Sequence, residues 1–278
     1  MNRRSDRPLR PPRPTGGRPE RPSRPQRAPA RQDAPAPSHL TLRNPHSVLA
    51  ALEARPGDLL DVRIPGEAGA KAWRDVAEHA RARGVRVHGL EVDPGRAAER
   101  ERSGGRAGAE ADVRPRKPQA LSDLFANAQP GDRWIALDGV QDPHNVGAIF
   151  RTAAFFGARG IITTADRAAP LTAVVYDVAS GGVETVPHAI ETNLRRALDT
   201  AKAAGVWVLG TSEHAPKAFG EMPRNRPWLI VLGNEETGLR RLILESCDES
   251  CAVPPRGRGV TSLNVSVTAG ILLATLAG

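Results

Sequence analysis

Three short polar stretches, each following an apolar run, hold the residues best suited to chemistry. The first contains Asp142, His144, Asn145 and Arg151. The second is Gly233-Asn234-Glu235-Glu236-Thr237-Gly238, and the third runs from Pro254 through Arg256, Arg258, Ser262 and Asn264. Asp142 to Asn145 suit a turn and helix start, and Arg151, two turns on, can present a fork of donors to a phosphate. His144 fits a turn residue better than a base. The second stretch reads locally as a helix start with acids favoured by the helix dipole. The third combines glycine, arginine and a Ser-x-Asn pair, a composition suited to holding a ligand.

The elements that must position these clusters follow from periodicity. Residues 133–140 (RWIALDGV) form a buried strand, and Asn145 to Phe156 form a helix with Val146, Ile149, Phe150, Ala153 and Ala154 inward, which leaves Arg151 on another face. GIITT is the next strand. A helix at 193–204, strands at 206–211 and 228–233, a helix at 238–246, a short strand at 251–254 and a terminal helix complete the pattern. Strands alternating with helices imply a parallel sheet covered on both faces, with ligands outside the carboxyl ends of its strands. All three clusters sit at such ends.

Upstream, Asn44-Pro45 starts a helix with Val48, Leu49 and Leu52 on one face. Strands at 59–64 and 85–92 flank a helix at 69–84, a charged helix follows at 93–108, and Ala109 to Val113 give one more strand. This is a small α/β unit. Two prolines in Arg114-Pro115-Arg116-Lys117-Pro118 place a boundary near 115–121. The division is thus an arm at 1–40, a small domain at 41–114, a linker at 115–130 and a second domain at 131–278.

The chain has 278 residues, 40% of them hydrophobic, and a formal charge of +8. Residues 1–38 carry ten Arg against three acids, a local +7, so the remainder is almost balanced. That arm also holds ten prolines and few large apolar side chains. It cannot offset its ordering entropy and is expected to be disordered, with phosphate-rich partners such as RNA favoured. It lacks the apolar core of a secretory signal. Cys247 and Cys251 have no second pair and no neighbouring His at zinc spacing, so they read as buried thiols in a reducing cytoplasm, and no metal site is expected. No apolar run is long enough to span a bilayer. The absence of G-x-G-x-x-G after a strand, G-x-x-x-x-G-K-[ST] and G-x-S-x-G argues against a dehydrogenase, a P-loop NTPase or a serine hydrolase.

Taken together, LDGVQDPHNVGAIFRTAAFFGA, LIVLGNEETGLRRLILESCD and VPPRGRGVTSLNVSVTAGILL resemble the three ordered motifs of the SpoU (TrmH-type) ribose 2′-O-methyltransferases. Residues 42–113 resemble, more weakly, the small L30e-like RNA-binding domain of the branch acting on ribosomal RNA. The resemblance implies a SPOUT-type α/β fold with a C-terminal trefoil knot, S-adenosylmethionine held by the knot loops, and a homodimer whose interface contributes to the active site. By position, Gly233, Val253 and Leu263, with Thr211, would contact the cofactor. Asn145, Arg151, Glu235, Ser262 and Asn264 would form the catalytic shell. The implied substrate is 23S rRNA, with a tRNA enzyme of the same family or a catalytically silent RNA-binding protein as alternatives. The loop between Val253 and Leu263 is about one residue longer than the commonest spacing, and a His-Gln-Gly frequent in relatives is missing near Gly104.

Overall fold

The computed structural model describes residues 38–65, 71–90 and 108–276. The expected disordered arm up to residue 37, the charged helix except its final residue, and the last two residues of the strand at 85–92 lie outside the described residues.

β1 (Leu40–Leu42), α1 (Pro45–Ala54), β2 (Leu59–Pro65), α2 (Lys71–Ala82), β3 (Val87–Leu90) and β4 (Glu110–Val113) build a four-stranded sheet of order β1-β4-β2-β3. β2 and β3 are parallel around α2, whereas β4 runs antiparallel to β1 and β2. α1 starts as its sequence dictates: the Asn44 side chain accepts from His46 N–H at 2.9 Å and Pro45 occupies the first turn. An unmet N–H of the helix end is thereby satisfied.

The larger sheet has seven strands: β5 (Arg133–Asp138), β6 (Gly160–Thr164), β7 (His188–Glu191), β8 (Trp207–Thr211), β9 (Lys217–Ala218), β10 (Trp228–Gly233) and β11 (Glu249–Ala252). Their order is β7-β6-β5-β10-β8-β11-β9, with every pairing parallel. The fully buried β5 alternates its contacts by the two-residue strand period. Ile135 and Leu137 face one core with α4 (Pro143–Phe155), α5 (Ala173–Ala179), α6 (Gly182–Thr185) and α9 (Val265–Leu276). Trp134 and Ala136 face another with α3 (Leu121–Leu124), α7 (Leu194–Ala203) and α8 (Arg241–Leu244). Both faces of the sheet are therefore covered, as its unbroken apolar strands require.

Two expectations need correction. The helix read at 238–246 shrinks to α8, because the Asn234 side chain accepts from Glu236 N–H at 2.9 Å and a backbone bridge joins Asn234 to Gly238. Those residues close a turn instead of starting a helix. The strand read at 251–254 lies at 249–252, which frees Val253 for the loop. Residues 165–192 also hold α5, α6 and β7, none of them read from sequence. α5 and α6 are split by Ser180 and Gly181, both at positive φ.

Polar ties join the small sheet to α5 and α6. Asp177 accepts from the N–H groups of Arg43 and Asn44 at 3.0 and 2.9 Å, and Asn44 Nδ2 donates to the Asp177 carbonyl at 2.7 Å. Arg55 binds the buried Glu184 carboxylate with two bonds of 2.7 Å. Arg116, within the expected linker, donates through its guanidinium to the Val183 and Val186 carbonyls. His188, 1% exposed, stacks edge-on against Phe150, and neither ring nitrogen has a hydrogen-bond partner among the described residues. Burial, then the Arg116 and Arg55 charges, push its pKa down to about 4.

Candidate active site

β5 and β10 are neighbours, yet the chain leaves β5 towards β6 and leaves β10 towards β11, on opposite sides. The carboxyl ends of adjacent strands at such a reversal leave a crevice. Three loops meet there: residues after β5, the Asn234–Gly238 turn after β10, and the Val253–Asn264 loop after β11.

The turn after β10 is held on both sides. Asn234 Nδ2 donates to the Gly139 carbonyl at 2.9 Å, linking it to the end of β5. Asp138, buried at the same end, accepts from Arg240 N–H at 3.0 Å and Arg240 Nε at 2.7 Å. Gly233 must be glycine, because a Cβ there would sit 2.2 Å from the Gly238 carbonyl carbon and 2.3 Å from Leu239 N. Backbone cannot yield as a flexible side chain can.

Asn145, 8% exposed in the first turn of α4, donates through Nδ2 to Glu235 Oε1 at 2.8 Å. Its Oδ1 accepts from Asn264 Nδ2 at 2.9 Å. Asn264 in turn caps α9, its Oδ1 accepting from Ser266 N–H at 2.8 Å and Ser266 Oγ at 2.6 Å. A single amide thus joins all three loops. Its donor points to the carboxylate and its acceptor to the second amide, so the Asn145 orientation is fixed by both partners.

Two clefts open beside this relay. One, of about 610 Å³, includes Thr211, Gly233, Glu235, Val253, Ser262 and Leu263 in its lining. It brings together all four residues expected at the cofactor and two from the catalytic shell. Thr211 Oγ1 already donates to the Val231 carbonyl at 3.0 Å, so its lone pairs are what it offers a ligand. Leu263 is 48% exposed at the mouth. The other cleft, of about 520 Å³, lies across the Asn234–Gly238 turn and is lined by residues including Gln141, Asn145, Thr164, Asp166, Arg167 and Glu235. Its lining from Asp142 and the 234–238 turn was read from the sequence, whereas Thr164, Asp166 and Arg167 were not, because the loop after β6 carries no motif.

Arg151 stands apart. It is exposed on α4, lines neither cleft and has no hydrogen-bond or ion-pair partner among the described residues. Six residues of helix place it about 9 Å along the axis from Asn145. His144 is the second residue of α4 and not part of a preceding turn, because the Asp142 cap accepts from its N–H at 2.8 Å and starts the helix two residues before Asn145. Among the described residues no cluster of three potential metal ligands occurs.

A doubly covered parallel sheet whose polar clefts open at the carboxyl ends of its central strands defines an α/β ligand-binding protein, with one site built by three loops. The SpoU rRNA Methylase family model matches residues 132–274, a span that contains all three loops. The chain belongs to that family. It is 44% identical over 158 residues to the 23S rRNA (guanosine-2′-O-)-methyltransferase RlmB of Nitrosomonas europaea, an alignment covering 57% of this chain and 60% of that protein. The protein of the same name from Coxiella burnetii is 36% identical over 228 residues, covering 82% and 91%. In fold, the SpoU methyltransferase AviRb from Streptomyces viridochromogenes, solved in complex with the cofactor AdoMet, superimposes with a TM-score of 0.70 at 21% identity, over 86% of this chain and 89% of that one.

Proposed function

We propose that the protein transfers a methyl group from S-adenosylmethionine to the ribose 2′-hydroxyl of a guanosine in 23S rRNA. The observation carrying this reading is the Asn264–Asn145–Glu235 relay, which sets an oriented carboxylate and two amides between two clefts. The larger cleft suits the cofactor: Gly233 offers bare backbone, Val253 and Leu263 offer apolar surface, and Thr211 offers an acceptor. Bound there, S-adenosylmethionine supplies an electrophilic methyl on a sulfonium.

A ribose hydroxyl then has to be aligned with that methyl by the chain's residues, and its proton passes to an RNA phosphate oxygen or to water. Asn145 and Asn264 orient the ribose, Glu235 fixes Asn145, and Ser262, exposed at the cleft, hydrogen-bonds near the substrate. Arg151 clamps the target phosphate and stabilises negative charge developing on the 2′ oxygen. It is not the base, since a guanidinium stays protonated in proteins.

Arg151 reaches a reaction centre when two copies associate. Phe155, 83% exposed on α4, and Val267, 49% exposed on α9, lie on packed helices and give a homodimer an apolar face that carries Arg151 with it. The trefoil knot is part of the same reading. The chain leaves β11, which lies beyond β8 from β10, and returns to pack α9 on α4. The unit at 41–114 would grip RNA, the unit at 131–278 would carry the reaction, and the arm at 1–40 would add phosphate contacts.

The test is methylation of 23S rRNA from a strain lacking the activity, with nucleosides resolved by mass spectrometry. Wild type should yield 2′-O-methylguanosine, and Arg151→Ala should lower kcat roughly 100-fold or more with cofactor affinity retained. Normal turnover by Arg151→Ala sinks its role; methyl found on a base, or on tRNA alone, sinks the substrate.

A further inference from the structure

We infer that the cleft between the ends of β5, β6 and β10 holds the guanine base of a nucleotide turned out of the RNA, and that Asp166 and Arg167 select it. This rests on the reading of the protein as a guanosine 2′-O-methyltransferase.

The cleft has the size and position for the task. At about 520 Å³ it falls within the range of roughly 300–1,000 Å³ usual for small-ligand sites. It shares the wall carrying Glu235 with the larger cleft, and Asn145 lines it. A base seated there puts its ribose at the relay, facing the methyl donor.

Its chemistry is unspent. Asp166, Arg167 and Gln141 have no side-chain hydrogen bond or ion pair among the described residues. Thr164, also in the lining, is 7% exposed, yet its Oγ1 has no hydrogen-bond partner among the described residues. A buried hydroxyl without a partner costs free energy that a bound polar group can recover. The loop carrying the pair is built in place: Ala169 N–H donates to the Val140 carbonyl at 2.9 Å, and Arg167 sits at φ 59.

Guanine is the base that matches this set. Its Watson–Crick edge presents two adjacent donors, N1–H and N2–H, to a carboxylate, while O6 and N7 accept from a guanidinium. Adenine and cytosine turn a ring-nitrogen lone pair towards the same carboxylate, and uracil offers one donor flanked by carbonyls. An extruded base can be read on this edge only because it is unpaired.

Two measurements test the assignment on the full chain. In methylation of 23S rRNA, Asp166→Asn and Thr164→Val should each lower kcat/KM, the first by roughly tenfold or more, with calorimetric affinity for S-adenosylmethionine unchanged. In saturation-transfer NMR, guanosine 5′-monophosphate should outcompete inosine 5′-monophosphate, which lacks the exocyclic amine, and adenosine 5′-monophosphate should compete least. Asp166→Asn should erase that order. Wild-type kcat/KM in Asp166→Asn, or equal binding of the three nucleotides by wild type, overturns the pocket. Guanine-selective binding that depends on Asp166, without methyl transfer to guanosine, keeps the pocket and overturns the reaction assigned to it.

Discussion

Replacing His188 with leucine should remove a large part of the protein's sensitivity to mild acid. The ring is buried against Phe150, lies near the Arg116 and Arg55 charges, and has a pKa near 4 in place of 6.5. Because the folded value is depressed, the unfolded chain binds the proton first, so stability falls as pH drops through 6.5 and stops falling near 4. Linkage between those two values gives a loss of about 2 kcal/mol between pH 7.5 and pH 5. Urea unfolding of both proteins at the two pH values isolates this contribution, since the other titrating groups are common to both. The wild-type drop should exceed that of His188→Leu by about 2 kcal/mol. Parallel drops would refute the argument, as would an NMR titration placing folded His188 near its ordinary value.

Gly233→Ala drives a methyl into the backbone of the Asn234–Gly238 turn, so it should cost roughly 1–3 kcal/mol and weaken S-adenosylmethionine binding at least tenfold by calorimetry. Glu184→Gln leaves the Arg55 charge half-compensated at the junction of small and large sheets. A loss of about 3–5 kcal/mol in chemical denaturation is expected, and a change below about 0.5 kcal/mol would show the pair to be idle. Burial pushes the Cys247 thiol up to about 12 and Cys251 up to about 11. Neither should react readily with Ellman's reagent at pH 8 until the chain is unfolded, and rapid native labelling would contradict that.

The strands nearest the site were legible because β5 and β10 are unbroken apolar runs that belong only in a sheet covered on both sides. Asn44 and Asp142 announced their helices through capping chemistry that acts within a few residues. The turn at 234–238 misled because Asn followed by two acids suits a helix start and a side-chain-closed turn equally well. What decides between them is Gly238, at φ 66, bonding back to Asn234. Residues 165–192 were opaque for a related reason: the left-handed pair Ser180-Gly181 cuts the helical period short. The relay itself was beyond local reading. Asn145 lies 119 positions from Asn264 and 90 from Glu235, and only the folded sheet brings them within 3 Å. Family motifs named those residues, but not the bonds between them, and gave no hint of Thr164 or Asp166.

The Asn264–Asn145–Glu235 relay also sets a clock for biosynthesis. Asn145 leaves the ribosome early, Glu235 later, and Asn264 last of the three. Until the final segment has emerged and docked, Asn145 has an acid to hold but nothing to hold it. A nascent or stalled chain therefore has a partly walled crevice without the oriented amide. Competence arrives in one step, when α9 packs on α4 and Asn264 meets Asn145.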